Sequence, residues 1–87
     1  MTSIASLTVP EFDPPAEATP EKMCLVGWLV EIGETVEAGD PYVQLAIEGV
    51  VFELNAPCSG VLQRKRFSLG QIVKTGDLLG DLLLNQS

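Results

Sequence analysis

The sequence predicts an all-β fold, a flattened β-barrel or sandwich of two similar antiparallel sheets. Two observations lead to this prediction. Short apolar segments alternate with turn residues, and no stretch keeps the period of an amphipathic helix. In addition, residues 20–45 match residues 57–82 without a gap, at an offset of 37 residues. A repeated strand pattern of this kind predicts two halves related by a pseudo-twofold axis.

The turn residues define the repeat most clearly. Two glycines bracket a short segment in each half, GETVEAGD in the first and GQIVKTGD in the second. Gly33 matches Gly70, and Gly39 matches Gly76. Glycine adopts the positive φ that tight turns require. Each half is therefore predicted to form a strand, a turn, a short strand, a second turn and a third strand.

A β-hairpin is predicted in the centre of the chain. Residues 43–47 and residues 50–54 each place alternate apolar side chains on one face, as a strand with one buried face does. Glu48 and Gly49 lie between them and mark the turn. Because glutamate disfavours positive φ, we expect Gly49 alone to adopt the left-handed conformation.

The length of 87 residues is enough for one small domain. Residues 1–19 are predicted to form an N-terminal strand and a proline-rich loop, and residues 20–87 the repeated β domain. The strand is expected in the segment SIASLTV. The loop follows because residues 10–20 contain four prolines and three acidic residues.

Composition excludes several classes of function. The net charge of −7 disfavours binding to nucleic acid and to anionic membranes. No apolar segment is long enough to span a bilayer, so we expect a soluble cytoplasmic protein. The chain has no histidine, which excludes Ser-His-Asp and Cys-His catalysis. Two distant cysteines do not match the spacing of a zinc site, and we predict no metal and no catalytic residue.

Three remaining features each admit two interpretations. Cys58 is either a reactive thiol or, more simply, a small apolar residue in a tight loop. Residues 64–66, with the sequence RKR, form either a docking patch for an acidic partner or a solvated strand segment that resists edge-to-edge pairing. Glu48 at the hairpin tip is either a recognition determinant or an exposed turn residue.

Taken in order, several segments resemble one family. Residues 28–36, WLVEIGETV, are similar to its W-x-V-x-x-G-D-x-V stretch, and residues 39–41, 56–62 and 70–76 follow in register. The chain resembles the biotinyl/lipoyl carrier domains, and among them the lipoyl domains of 2-oxo acid dehydrogenase acyltransferase subunits. The resemblance implies the barrel-sandwich hybrid fold of that family, which agrees with the strand pattern.

The same resemblance identifies a missing residue. The family carries its modified lysine at the hairpin tip, and six residues separate that position from the alanine of an Ala-Pro pair. Counting back from Ala56 reaches Gly49, flanked by Glu48 and Val50. The acidic residue before and the valine after match lipoyl domains, whereas the lysine is absent. Lipoate and biotin attach through an amide to a lysine amine, so we predict that neither cofactor is present.

Three functional hypotheses follow. The first is a non-catalytic docking or accessory module, whose protein partner is an acyltransferase, dehydrogenase or synthase component of an acyl-transfer or dehydrogenase-type complex. The second is a genuine lipoyl or biotinyl swinging-arm carrier that is modified at another residue. The third is an adaptor barrel of a transport assembly. In none of them is the domain itself an enzyme, and none involves nucleic acid or a membrane.

Overall fold

The computed structural model describes residues 2–10 and 23–85 of the chain. All regular structure within these residues is β-strand. The strands are β1 Thr2–Thr8, β2 Met23–Trp28, β3 Thr35–Val36, β4 Pro41–Ile47, β5 Val50–Asn55, β6 Gly60–Lys65, β7 Ile72–Val73 and β8 Leu78–Asn85. The predicted proline-rich loop and the predicted boundary at residue 20 lie outside the described residues, and the boundary stays a prediction.

The strands form two four-stranded antiparallel sheets. Sheet A has the order β1-β8-β6-β3, and sheet B has the order β5-β4-β2-β7. The predicted all-β class with two antiparallel sheets is therefore confirmed. No helix in the described part of the chain is long and apolar enough to cross a membrane.

The two halves of the repeat are structurally equivalent. The ranges of β2 and β3 correspond to those of β6 and β7 at the same offset of 37 residues that relates the sequences. Gly33 donates its N–H to the carbonyl of Leu62 over 2.8 Å, and Gly70 donates to the carbonyl of Leu25 over 2.8 Å. The halves thus exchange the same hydrogen bond across the molecule, which confirms the pseudo-twofold relation.

β1 completes sheet A and belongs to the same core as the repeat. It pairs with β8 along its length, from Thr2 opposite Asn85 onward. Leu7 and Val9 are 1% and 2% exposed. The predicted N-terminal strand is thus observed. The core joins both sheets and contains Leu7, Val9, Met23, Leu25, Val30, Val36, Tyr42, Val43, Leu45, Ile47, Leu54, Ala56, Leu62, Val73, Leu79 and Leu82.

Gly80 allows β8 to approach β6 closely. A Cβ atom on Gly80 would lie 2.5 Å from the backbone oxygen of Arg64 and 3.4 Å from the ring of Trp28. Trp28 is fixed in place because its Nε1–H donates to the carbonyl of Phe67 over 3.0 Å. Backbone cannot move away as a flexible side chain can, so this position requires glycine.

We expect Gly80→Ala to lower the free energy of unfolding by about 1–3 kcal/mol, because the new methyl overlaps backbone. Gly27→Ala is the matched control. There the new Cβ would meet mainly the Oε1 atom of Gln44, at 2.7 Å, and that side chain is able to rotate away. Urea unfolding of both variants checks the prediction. Equal losses of stability would contradict it.

Tyr42 is the single tyrosine of the chain and is 3% exposed. Burial raises its pKa to about 12, because desolvation disfavours the phenolate. In the unfolded chain the phenol titrates near its ordinary pKa of about 10. The folded state therefore holds its proton longer, and stability falls as the pH rises through the window from 10 towards 12.

We expect the ultraviolet absorbance of tyrosinate to rise only near the pH at which the protein unfolds in alkali. Tyr42→Phe is the control, because it keeps the ring and removes the titrating group. The loss of stability between pH 10 and 12 should be smaller in this variant. A titration of the folded protein with a midpoint near 10 would contradict the burial argument.

Candidate functional site at the hairpin tip

The β4–β5 hairpin closes through a two-residue turn. Ile47 pairs with Val50, which leaves Glu48 and Gly49 as the central residues. Their φ angles are +46° and +85°. Positive φ at both central positions defines a type I′ turn, whose twist matches that of the flanking strands. The expectation that Gly49 alone is left-handed was wrong, because the closed two-residue hairpin forces Glu48 into the same region.

The tip of the hairpin is exposed to solvent. Ile47 is fully buried and anchors the end of β4, whereas Val50 is 50% exposed. A Cβ built on Gly49 meets no atom within 4 Å. Packing therefore leaves room for a side chain at position 49. What resists one is the backbone, since a left-handed φ costs about 1–2 kcal/mol for residues other than glycine.

The chemistry available at the tip is limited. Glu48 presents an exposed carboxylate, and Gly49 has no side chain. The hairpin from β4 through β5 contains no lysine, cysteine, serine or threonine, and the hydroxyl it does contain belongs to the buried Tyr42. An amide to lipoate or biotin needs an amine that these residues do not supply. The tip does not fit either cofactor.

The two lysines in the described residues are placed elsewhere. Lys65 lies on β6 in sheet A, where its Nζ atom is 3.1 Å from Glu31 Oε2 and 5.4 Å from the centroid of the Trp28 ring. Lys74 follows β7, which is the strand of sheet B furthest from β5. The structure therefore does not bring either lysine into the hairpin.

The other sequence candidates are distributed over the surface. Cys58 is partly buried and packs against the core, in agreement with the simpler interpretation. Of residues 64–66, Lys65 pairs with Glu31, and Arg66 pairs with Asp81 over 3.0 Å. β6 lies between β8 and β3 in the sheet order, but β3 pairs only with Gly60 and Val61, so the backbone of Arg64 and Lys65 pairs with β8 alone. No cluster of three or more metal-ligating side chains occurs in the described ranges.

Sequence comparison agrees with the architecture. Residues 10–82 match the biotin/lipoyl family, described as "Biotin-requiring enzyme". The chain belongs to this family. Its members are carrier domains that are not catalytic themselves. The assignment of Gly49 to the position of the modified lysine rests on spacing, and it stays a prediction.

Two relatives illustrate the range of the family. The chain is 34% identical over 59 residues to the dihydrolipoyllysine-residue succinyltransferase component of the 2-oxoglutarate dehydrogenase complex from Buchnera aphidicola subsp. Schizaphis graminum. This match covers 68% of the chain and 15% of the relative. The chain is 36% identical over 75 residues to acetyl-CoA carboxylase from Schizosaccharomyces pombe, covering 86% of the chain and 3% of the relative. The chain thus spans a small part of each.

Glu48 is expected to carry backbone strain that asparagine would relieve. Glu48→Asn should raise the free energy of unfolding by about 0.5–1 kcal/mol, because asparagine tolerates a left-handed φ and Asn-Gly is favoured in type I′ turns. Glu48→Ala removes the same carboxylate without relieving the strain, and it should give no gain. Thermal or urea unfolding measures both. Equal stabilisation by the two variants would mean that charge, not backbone conformation, is responsible.

Proposed function

We propose that this domain is an unmodified member of its family that acts as a docking or accessory module in a cytoplasmic acyl-transfer or dehydrogenase-type complex. The observation that carries the proposal is the hairpin tip. The turn is well formed, yet Gly49 occupies the position that the spacing assigns to the modified lysine. The domain has no group there to which an acyl arm can be attached, so binding is the property that it retains.

The retained scaffold supports a binding role. Both sheets, the shared core and the turns of both halves are present. A carrier domain works by tethering a reactive group, which raises its effective concentration at successive active sites. A domain without the arm can still bind partner enzymes through its surface. One relative is a component of a dehydrogenase complex, which suggests an acyltransferase, dehydrogenase or synthase component as the protein partner.

The alternatives make different demands on the structure. A swinging-arm carrier modified elsewhere would have to use a lysine outside the hairpin, such as Lys74. An adaptor barrel of a transport assembly resembles this fold with a long helical hairpin inserted at the tip. Here the two residues of a type I′ turn join β4 to β5 directly, which argues against that arrangement.

The proposal predicts that the chain isolated from its native host has the mass of the bare polypeptide. It should also remain unmodified when it is co-expressed with a lipoate ligase or a biotin ligase. Gly49→Lys should then gain one lipoyl or biotinyl group, because the tip is open and the missing amine is restored. Lys74→Arg, combined with Gly49→Lys, is the control that assigns the group to position 49.

A lipoyl, biotinyl or acyl group on the native chain would overturn the proposal, and peptide mapping would locate the modified residue. Failure of a folded Gly49→Lys variant to accept either group would contradict the assignment of position 49. The backbone N–H correlation spectrum of the variant shows whether the domain is folded in that experiment.

A further inference from the structure

The pseudo-twofold relation allows the charges of the two halves to be compared position by position. The turns of the first half contain four carboxylates, at Glu31, Glu34, Glu37 and Asp40. The equivalent residues of the second half are Ser68, Gln71, Lys74 and Asp77. The first set has a formal charge of −4 and the second a charge of zero. Among the described residues, Glu31 alone of the four carboxylates has an ion-pair partner, Lys65.

A groove of about 380 Å³ is lined by two of these four carboxylates. Its apolar part is formed by Leu29, Val30, Val36 and Pro41, and its polar part includes Glu34 and Asp40. Leu29 is 43% exposed, although its side chain is apolar. The groove therefore combines an apolar surface with negative charge.

The second half has different side chains at the positions that form the apolar part of this groove. The residue equivalent to Val30 is Phe67, a larger side chain that packs against the core. The residue equivalent to Leu29 is Arg66, whose guanidinium is 3.0 Å from Asp81. The second half thus has a larger apolar side chain at the position of Val30 and a paired cation at the position of Leu29.

The two carboxylates of the groove are held in place by backbone. Glu34 Oε1 accepts the N–H of Glu31 over 2.7 Å, and Asp40 Oδ2 accepts the N–H of Glu37 over 3.3 Å. Each carboxylate keeps a second oxygen that accepts no bond from the described residues. Fixed carboxylates with a free oxygen are suited to a guanidinium or an ammonium group, because little side-chain entropy is lost on binding.

We propose that this groove docks a lysine or arginine side chain from a basic surface of a protein partner. The methylene stem of such a side chain covers Leu29, Val30 and Pro41, while its cationic group meets Glu34 and Asp40. The biological setting rests on the docking function proposed above, whereas the binding itself does not. The sign of the charge selects a basic protein and excludes the phosphates of nucleic acid.

The test uses the full chain and a defined probe. A short blocked peptide with arginines separated by alanines is titrated into isotope-labelled protein, and the same peptide with glutamates is the negative control. Backbone amide shifts should change at Leu29, Val30 and Val36 and not at the equivalent Arg66, Phe67 and Val73. Binding should weaken as salt rises from low ionic strength towards physiological values.

Two variants separate the shape of the groove from its charge. Val30→Phe introduces the larger side chain that Phe67 provides at the equivalent position, which should reduce the groove, and it leaves every carboxylate in place. Glu34→Gln with Asp40→Asn keeps the shape and removes the charge. Each should weaken binding of the arginine peptide roughly tenfold or more, Val30→Phe because it removes room for the methylene stem and the double variant because charge-assisted contacts are lost. Glu53→Gln, an exposed carboxylate on β5, is the matched control and should leave binding unchanged.

The outcomes are distinct. Three results would each overturn the groove proposal. They are equal binding of the glutamate peptide, amide shifts spread over both halves, and no binding of the arginine peptide at millimolar concentration. Binding that survives Val30→Phe and weakens equally with Glu53→Gln would show that only net acidity is responsible, which also overturns it. An unmodified native mass with no groove binding would leave the docking proposal standing without this site. A modified native mass with groove binding would overturn the docking proposal and leave the groove as a binding site.

Discussion

The fold depends on hydrogen bonds that each half of the chain makes with the other half. Gly33 and Glu34 form two backbone bonds with Leu62, and Gly70 and Gln71 form the equivalent two with Leu25. Leu25 and Leu62 are both buried, so their polar backbone groups need partners inside the protein. Neither half supplies those partners alone. The two halves must therefore fold together, and sheets A and B acquire a single core.

This mutual dependence explains what the sequence was able to predict. Gly33 and Gly70 follow the strands before them at equal spacing, and this spacing sets up the hydrogen bonds that the halves exchange. The spacing is visible in the sequence as the 37-residue repeat. Strand class, the order of strands and turns in each half, and the position of the hairpin follow from that repeat and from alternation. The N-terminal strand lies outside the repeat, and it was expected from the segment SIASLTV itself.

The features that the sequence did not reveal depend on contacts between distant residues. The type I′ turn was missed because the intrinsic preference of Glu48 opposes it, and the closed pairing of Ile47 with Val50 overrides that preference. The groove was missed because its lining comes from residues 29–30, 34–36 and 40–41, which only the folded chain brings together. The acidic residues beside it were visible in the sequence. Their grouping with Leu29 and Pro41 was not.

The geometry of the tip links the turn type to the residue at position 49. In a type I′ turn, the second central residue has a positive φ, which glycine adopts without strain. A side chain at that position meets no steric obstacle, because the surrounding space is open. The backbone would then either bear the strain or change to another turn type. The tight turn and the residue at position 49 are therefore physically coupled, because a glycine here stabilises the hairpin and supplies no amine at its tip.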